Sequence, residues 1–166
     1  MLVLRCTKKL LTQFGAKPTE PPGRSTTRLG DWYVGTVAVR NRELLMFLSE
    51  PTYLAVLINA VDSTTVISRF REALDELLMA LEVSEDVRAQ ERDEGGTVIF
   101  AKTASRQALG VMNDFMNLTS YELENAPRKP LLEVSRYLSR TPCGPLKQVC
   151  AANAARELLG RSKPVD

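Results

Sequence analysis

Residues 31–59 constrain this chain's fold more than any other stretch. Asp31 to Val39 alternates polar and apolar residues, opens on the pair Trp32-Tyr33, and reads as a strand. Gly35 within it marks a possible bulge. Arg40-Asn41-Arg42 supplies a hairpin turn. Leu44-Leu-Met-Phe-Leu48 is continuously apolar, the pattern of a central strand covered on both faces. Ser49-Glu50-Pro51-Thr52 turns the chain again, and Leu54 to Ile58 makes a third strand. Three consecutive strands on short turns form an antiparallel meander. Parallel pairing needs a crossover between strands, and the meander leaves no room for one.

The rest of the chain is arranged around that unit. Leu2 to Arg5 is a short strand, and Thr7 caps a helical turn that runs to Phe14 and ends at Gly15. Pro18, Pro21 and Pro22 keep residues 16–28 an irregular loop. Val66 to Glu82 is an amphipathic helix with Ile67, Phe70, Leu74, Leu77, Leu78 and Leu81 on its apolar face. Ser84 caps a charged helical segment reaching Arg92, and Gly95-Gly96 breaks it. Thr97 to Lys102 is a strand, followed by a helix capped by Thr103 or Ser105. Helices at 131–139 and 147–159 follow, separated by the Thr141-Pro-Cys-Gly-Pro145 breaker. Strands early and helices late predict an α+β fold. The expected sheet is mostly antiparallel with about five strands (the 31–59 meander plus strands near 2–5 and 97–102), packed by helices, with a helical C-terminal third. Residues 1–160 are expected to form one domain and 161–166 a frayed tail.

The helix after the 97–102 strand carries two stripes. Ala108, Leu109, Met112, Phe115, Met116 and Thr119 share one face, while Arg106, Gly110, Asn113 and Asn117 share another, with Asp114 beside them. Gly110 costs such a helix about 1 kcal/mol relative to alanine, so something is expected to approach the backbone there.

What the residues exclude is as informative. The chain has 166 residues and not one histidine, which removes Ser-His and Cys-His nucleophile systems and imidazole metal sites. A general base has to be Asp, Glu or Lys, and a carboxylate-only Mg²⁺ site stays open. No residue pattern calls for a cofactor. Cys6, Cys143 and Cys150 are an odd set without a CxxC pair, which argues against a disulfide framework and for a reducing cytosol. No signal-peptide core is present, and no window approaches the roughly 20 apolar residues of a membrane span. A cytoplasmic location without membrane contact is the expectation. Net charge is +2, but unevenly spread: residues 1–42 hold eight basic against two acidic residues, and residues 43–100 hold four against twelve.

Four phrases carry a resemblance: Leu4-Arg-Cys-Thr-Lys-Lys-Leu-Leu11, Thr27-Arg-Leu-Gly-Asp-Trp32, Ser105-Arg-x-x-Leu-Gly-x-Met-Asn-Asp-Phe115 and Pro142-Cys-Gly-Pro-Leu146. Together they resemble an uncharacterised bacterial family, domain of unknown function 6933, over nearly the whole chain. Val111 departs from that resemblance, standing at a position where it implies a small polar residue. The resemblance implies a bacterial, single-domain, cytosolic protein and carries no activity with it.

Two candidate sites emerge from the residues. The first is a polar cluster of Arg5, Asp31, Trp32, Arg106, Asn113 and Asp114. Here Arg106 is suited to clamp an anion, Asp31 or Asp114 to accept a proton or a metal, Asn113 to orient a ligand, and Trp32 to stack on a ring. The plainer alternative is an Arg–Asp structural pair, a backbone-capping Asn113 and a core Trp32. The second is basic: Lys8, Lys9, Arg24 and Arg28, with Arg5, Lys17, Arg40 and Arg42 nearby in sequence, suited to bind anions if they share a face. Three functions follow. The leading one is a non-catalytic interaction or regulatory module with a protein partner, acting through a polar groove beside the Arg106 helix and the proline-rich loop. The others are an enzyme on a phosphorylated or nucleic-acid substrate, and a nucleic-acid-binding module using the basic N-terminal surface.

Overall fold

The computed structural model describes residues 1–60, 62–147 and 149–160. The tail expected at 161–166 lies outside them. Five strands form one sheet: β1 (Leu2–Cys6), β2 (Trp32–Val39), β3 (Arg42–Ser49), β4 (Ala55–Asn59) and β5 (Val98–Lys102). Their spatial order is β4-β3-β2-β1-β5. The meander is present: β2 pairs antiparallel with β3 and β3 with β4. The sheet is nevertheless mixed rather than mostly antiparallel, because β1 runs parallel to both β2 and β5. The expectation that no crossover fits between the first strands is overturned at β1 and β2, outside the meander. The parallel pairs are instead made by the long connections on either side of it, residues 7–31 and 60–97.

The β2 ladder runs from Trp32 to Val39 without interruption, so Gly35 is not a bulge. It is the point where a helix crosses the sheet. α4 (Arg106–Asn125) lays Met112 and Met116 over Gly35, and a Cβ there would collide with both side chains. Gly35→Ala is expected to cost about 1–2 kcal/mol, the usual range for overpacking against adaptable methionines. Chemical denaturation would show it as a lower midpoint at unchanged slope.

The register assigns the two faces of the sheet. Leu4, Trp32 and Ser49 are neighbours across β1, β2 and β3, as are Cys6, Val34 and Phe47. On this face α2 (Val66–Ala80) inserts Phe70 between Trp32 and Phe47, with ring centroids at 5.0 and 4.3 Å. α1 (Lys8–Gln13), capped by Thr7, lies on the same face, where Phe14 meets Phe100. α3 (Glu85–Glu94) is clamped to α2 by Asp75, which receives Arg88 at 2.9 Å and Arg92 at 2.6 Å. Within these two helices Glu72, Asp75 and Glu85 of the acidic run are paired with arginines.

The opposite face presents Val3, Arg5, Tyr33, Gly35, Met46 and Leu48 to α4. β3 is buried from Leu44 to Ser49 on both sides. α5 (Leu131–Arg140) covers the open edge of β4, and its Ser135 Oγ accepts the Leu57 N–H at 3.2 Å. α6 (Ala151–Leu159) begins later than the expected Lys147. A 3₁₀ turn at Gly144–Leu146 ends with Lys147 in the left-handed region, and Cys150 then starts the helix.

Among the described residues no helix is long and apolar enough to cross a membrane.

Candidate functional site

The proline-rich loop, the end of β1 and the starts of β2 and α4 meet on the α4 side of the sheet. Arg5 projects from β1 and donates through Nε to Asp31 Oδ2 at 2.7 Å and through Nη1 to the Lys102 carbonyl at 2.9 Å. Asp31 Oδ1 accepts the Ser25 N–H at 3.3 Å, which ties the loop to the same carboxylate. Both side chains of the pair are largely shielded, 15% and 12% exposed. Beside them Tyr33 Oη accepts the Ser105 N–H at 2.9 Å, fixing the entry into α4. Burial, more than any other influence, pushes the Tyr33 phenol above its ordinary range.

Glu50 completes this corner. Its N–H donates to the Asp31 carbonyl, so the two acidic residues stand opposite each other just beyond the ends of β2 and β3. Like charges so placed repel. Partial burial pushes the Glu50 carboxyl up, Asp31 pushes it further, and Arg5 holds it back. The cleft between these groups, walled by Arg24, Gly30 and Pro51, encloses about 400 Å³. Its inner pair is already bonded together and to the backbone of Lys102 and Ser25.

The expected polar cluster does not converge on one point. Arg5 and Asp31 meet as an ion pair. Trp32 is 1% exposed on the other face of the sheet, stacked edge-on against Phe70. Arg106, Asn113 and Asp114 are exposed on α4, and none of them lines the Arg5–Asp31 cleft. Among the described residues, their side chains form no hydrogen bond or ion pair.

Gly110 lies on the same stripe, and beyond its chain neighbours and its own helix's backbone no atom lies within 4 Å of where its Cβ would be. Asn117 is exposed too, and Tyr121, one turn further, is 65% exposed. Sequence reasoning missed Glu50 and Tyr121. The first is signalled by its register opposite Asp31, the second by its continuation of the 106-110-113-117 spacing.

The basic residues are similarly dispersed. Arg28 is committed to the Leu159 carbonyl at 2.8 Å and to Gln90 at 3.0 Å. Arg40 and Arg42 donate to the carbonyls of Glu124 and Pro127, capping the C-terminal end of α4. Lys8 and Lys9 are exposed on α1, and Arg24 stands at the Arg5–Asp31 cleft.

Fold and site together define an α+β protein whose mixed sheet supports an ion-paired corner and an exposed polar helix. The three longer phrases of the sequence come together at that corner: residues 4–11 supply Arg5, 27–32 supply Asp31, and 105–115 supply Ser105. The chain belongs to the family of domain of unknown function DUF6933, whose model matches residues 3–154. No curated protein and no solved structure matches it.

Proposed function

We propose that this protein is a non-catalytic binding module that engages a protein partner through the exposed face of α4. The reading rests on Gly110. In the interior of a 20-residue helix a glycine is unfavourable by about 1 kcal/mol, and here nothing in the chain occupies the space it leaves. A partner backbone brought against that gap uses it. Arg106 is then placed to meet a carboxylate, and Asn113 and Asn117 to bond the partner's main chain. Tyr121 adds a rigid apolar contact at the far end of the stripe.

The groups suited to acid–base chemistry support binding rather than turnover. Arg5 and Asp31 are already bonded to each other and to backbone, and the polar residues of α4 stand apart from them. The cytoplasm is the proposed setting, supported by the free thiols of Cys6, Cys143 and Cys150.

Gly110→Ala separates this function from stability. It is expected to raise the melting temperature by about 2–4 °C, since a gain of roughly 1 kcal/mol has that effect in a chain of this size. A photo-crosslinking residue placed at Asn117 is expected to trap one defined protein in the native host. Gly110→Leu and Asn113→Ala are expected to abolish the adduct while leaving the melting temperature at or above that of the parent. An unchanged adduct in both variants overturns the reading.

A further inference from the structure

We propose a second site, independent of the α4 surface: a cleft at the carboxyl ends of β1 and β5 that binds a phosphate group carried on an apolar body. The chain leaving β1 turns onto the α2 side of the sheet, where Phe14 packs on Phe100. The chain leaving β5 turns the opposite way, into α4 over Gly35. Two adjacent parallel strands whose continuations part to opposite faces leave a crevice between them, the place where open sheets with parallel strands hold ligands. In this structure that crevice is a cleft of about 570 Å³.

Its lining has two parts. Lys8, Lys102 and Thr103 contribute to the lining, and the Thr103 hydroxyl makes no hydrogen bond among the described residues. Leu11, Ala16 and Pro18 supply its apolar wall. Lys102 is held at 2.9 Å by Glu20, but both side chains are about two-thirds exposed (66% and 62%). So exposed a pair contributes little and yields readily to a dianion. Lys8 makes no ion pair among the described residues. Two lysines and a hydroxyl suit a phosphate's charge and acceptors, and the wall suits an aliphatic or aromatic group attached to it.

Cys6 also borders the cleft, but burial pushes its thiol up to about 12. It stays protonated, so the site binds and does not attack through this sulfur.

The test uses the full chain and three probes, with titrations followed by backbone-amide NMR. Phenyl phosphate is expected to shift the amides of Thr7, Lys102 and Thr103. Inorganic phosphate is expected to bind the same place several-fold more weakly, for want of the apolar contact, and benzoate several-fold more weakly, for want of the second charge. The double variant Lys8→Gln/Lys102→Gln, both positions being exposed, is expected to keep the parent spectrum and lose roughly tenfold or more in phenyl phosphate affinity. Thr103→Val is expected to lose several-fold.

No shifts at these amides, or undiminished affinity in the double variant, overturns the site. Benzoate binding as tightly as phenyl phosphate overturns the phosphate assignment. Equal binding of inorganic phosphate overturns the role of the apolar wall. None of these results bears on Gly110 or the crosslink at Asn117, so this site and the α4 surface fail separately.

Discussion

Arg5→Ala is expected to lower the unfolding free energy by about 3 kcal/mol, in the range found when one member of a largely buried ion pair is removed. The loss has three parts. Asp31 keeps only the Ser25 N–H as a described partner, the Lys102 carbonyl loses its donor, and the carboxylates of Asp31 and Glu50 face one another without the cation beside them.

The third part gives the variant a pH signature. Removing Arg5 removes what holds the Glu50 carboxyl down, so its native pKa rises further above the unfolded value. A carboxyl raised in the native state binds its proton more tightly there. Stability therefore falls as pH climbs from the ordinary carboxyl value through the raised one, and is recovered on acidification. Denaturation across that window should show the gap between Arg5→Ala and the parent narrowing at low pH. A gap that stays constant would mean that the lost hydrogen bonds account for the whole effect. Arg5→Lys should recover only part of the loss, because a single ammonium cannot reproduce the two divergent bonds of the guanidinium.

Glu91→Ala should cost about as much. Glu91 sits in a helix otherwise rich in exposed charge, yet it is 7% exposed, and its carboxylate accepts the N–H groups of Arg28 at 2.8 Å and Leu29 at 3.4 Å. Leu29 is fully buried, so its amide has no recourse to water once the acceptor goes. The orphaned Leu29 donor costs about 1–3 kcal/mol, and the lost charge-assisted bond to the less buried Arg28 N–H brings the total to about 3 kcal/mol. Glu91→Gln keeps one acceptor and should lose about half.

Burial dominates the raised carboxyl of Glu91, while the two backbone bonds pull it back. The same linkage makes stability decline as pH rises through the interval between its ordinary and raised values. That slope should become shallower in the Glu91→Gln protein in urea titrations at successive pH values, the remainder belonging to Glu50, whose carboxyl is also raised. If the slope is undiminished, another carboxyl is responsible for it.

How far the fold could be read from sequence depended on whether local pattern or distant partners decide each element. The meander was legible because alternation, a continuous apolar run and turn residues agree over the whole contiguous stretch 31–59. α2, α4 and α5 were legible for the same reason, and of the two caps expected for α4, Thr103 or Ser105, it is Ser105 that accepts the Ala108 N–H. The direction of β1 was not. Parallel or antiparallel pairing leaves no mark on five residues, and the partner of Leu2 is Val98.

The candidate site failed on a finer point. A three-residue turn at 40–42 shifts the hairpin register by one residue from the observed two-residue turn, in which Val39 faces Arg42. That slip hides Glu50, which only the true register sets across from Asp31. For Trp32 the structure bears out the plainer of the two readings, a core residue, and the strand geometry says why. Adjacent residues on a strand point to opposite faces, so Asp31 and Trp32 could not have shared a site. The stripe on α4, by contrast, follows from helical periodicity alone, and it is exposed as one face.

The position of β1 also bears on the order in which the molecule can assemble. The first strand of the chain lies between β2 and β5, and its pairing with β5 joins segments separated by most of the sequence. Contacts of that span are slow to form, because a long loop must be closed before any of them is made. On the ribosome the hairpins of β2 to β4 can close while β1 still lacks one neighbour. Until Val98 emerges, Leu2, Val3 and Leu4 form an apolar strand with an open edge, the kind that recruits other chains. Synthesis halted before β5 thus yields the aggregation-prone form of this protein, while the finished chain seals that strand on both sides.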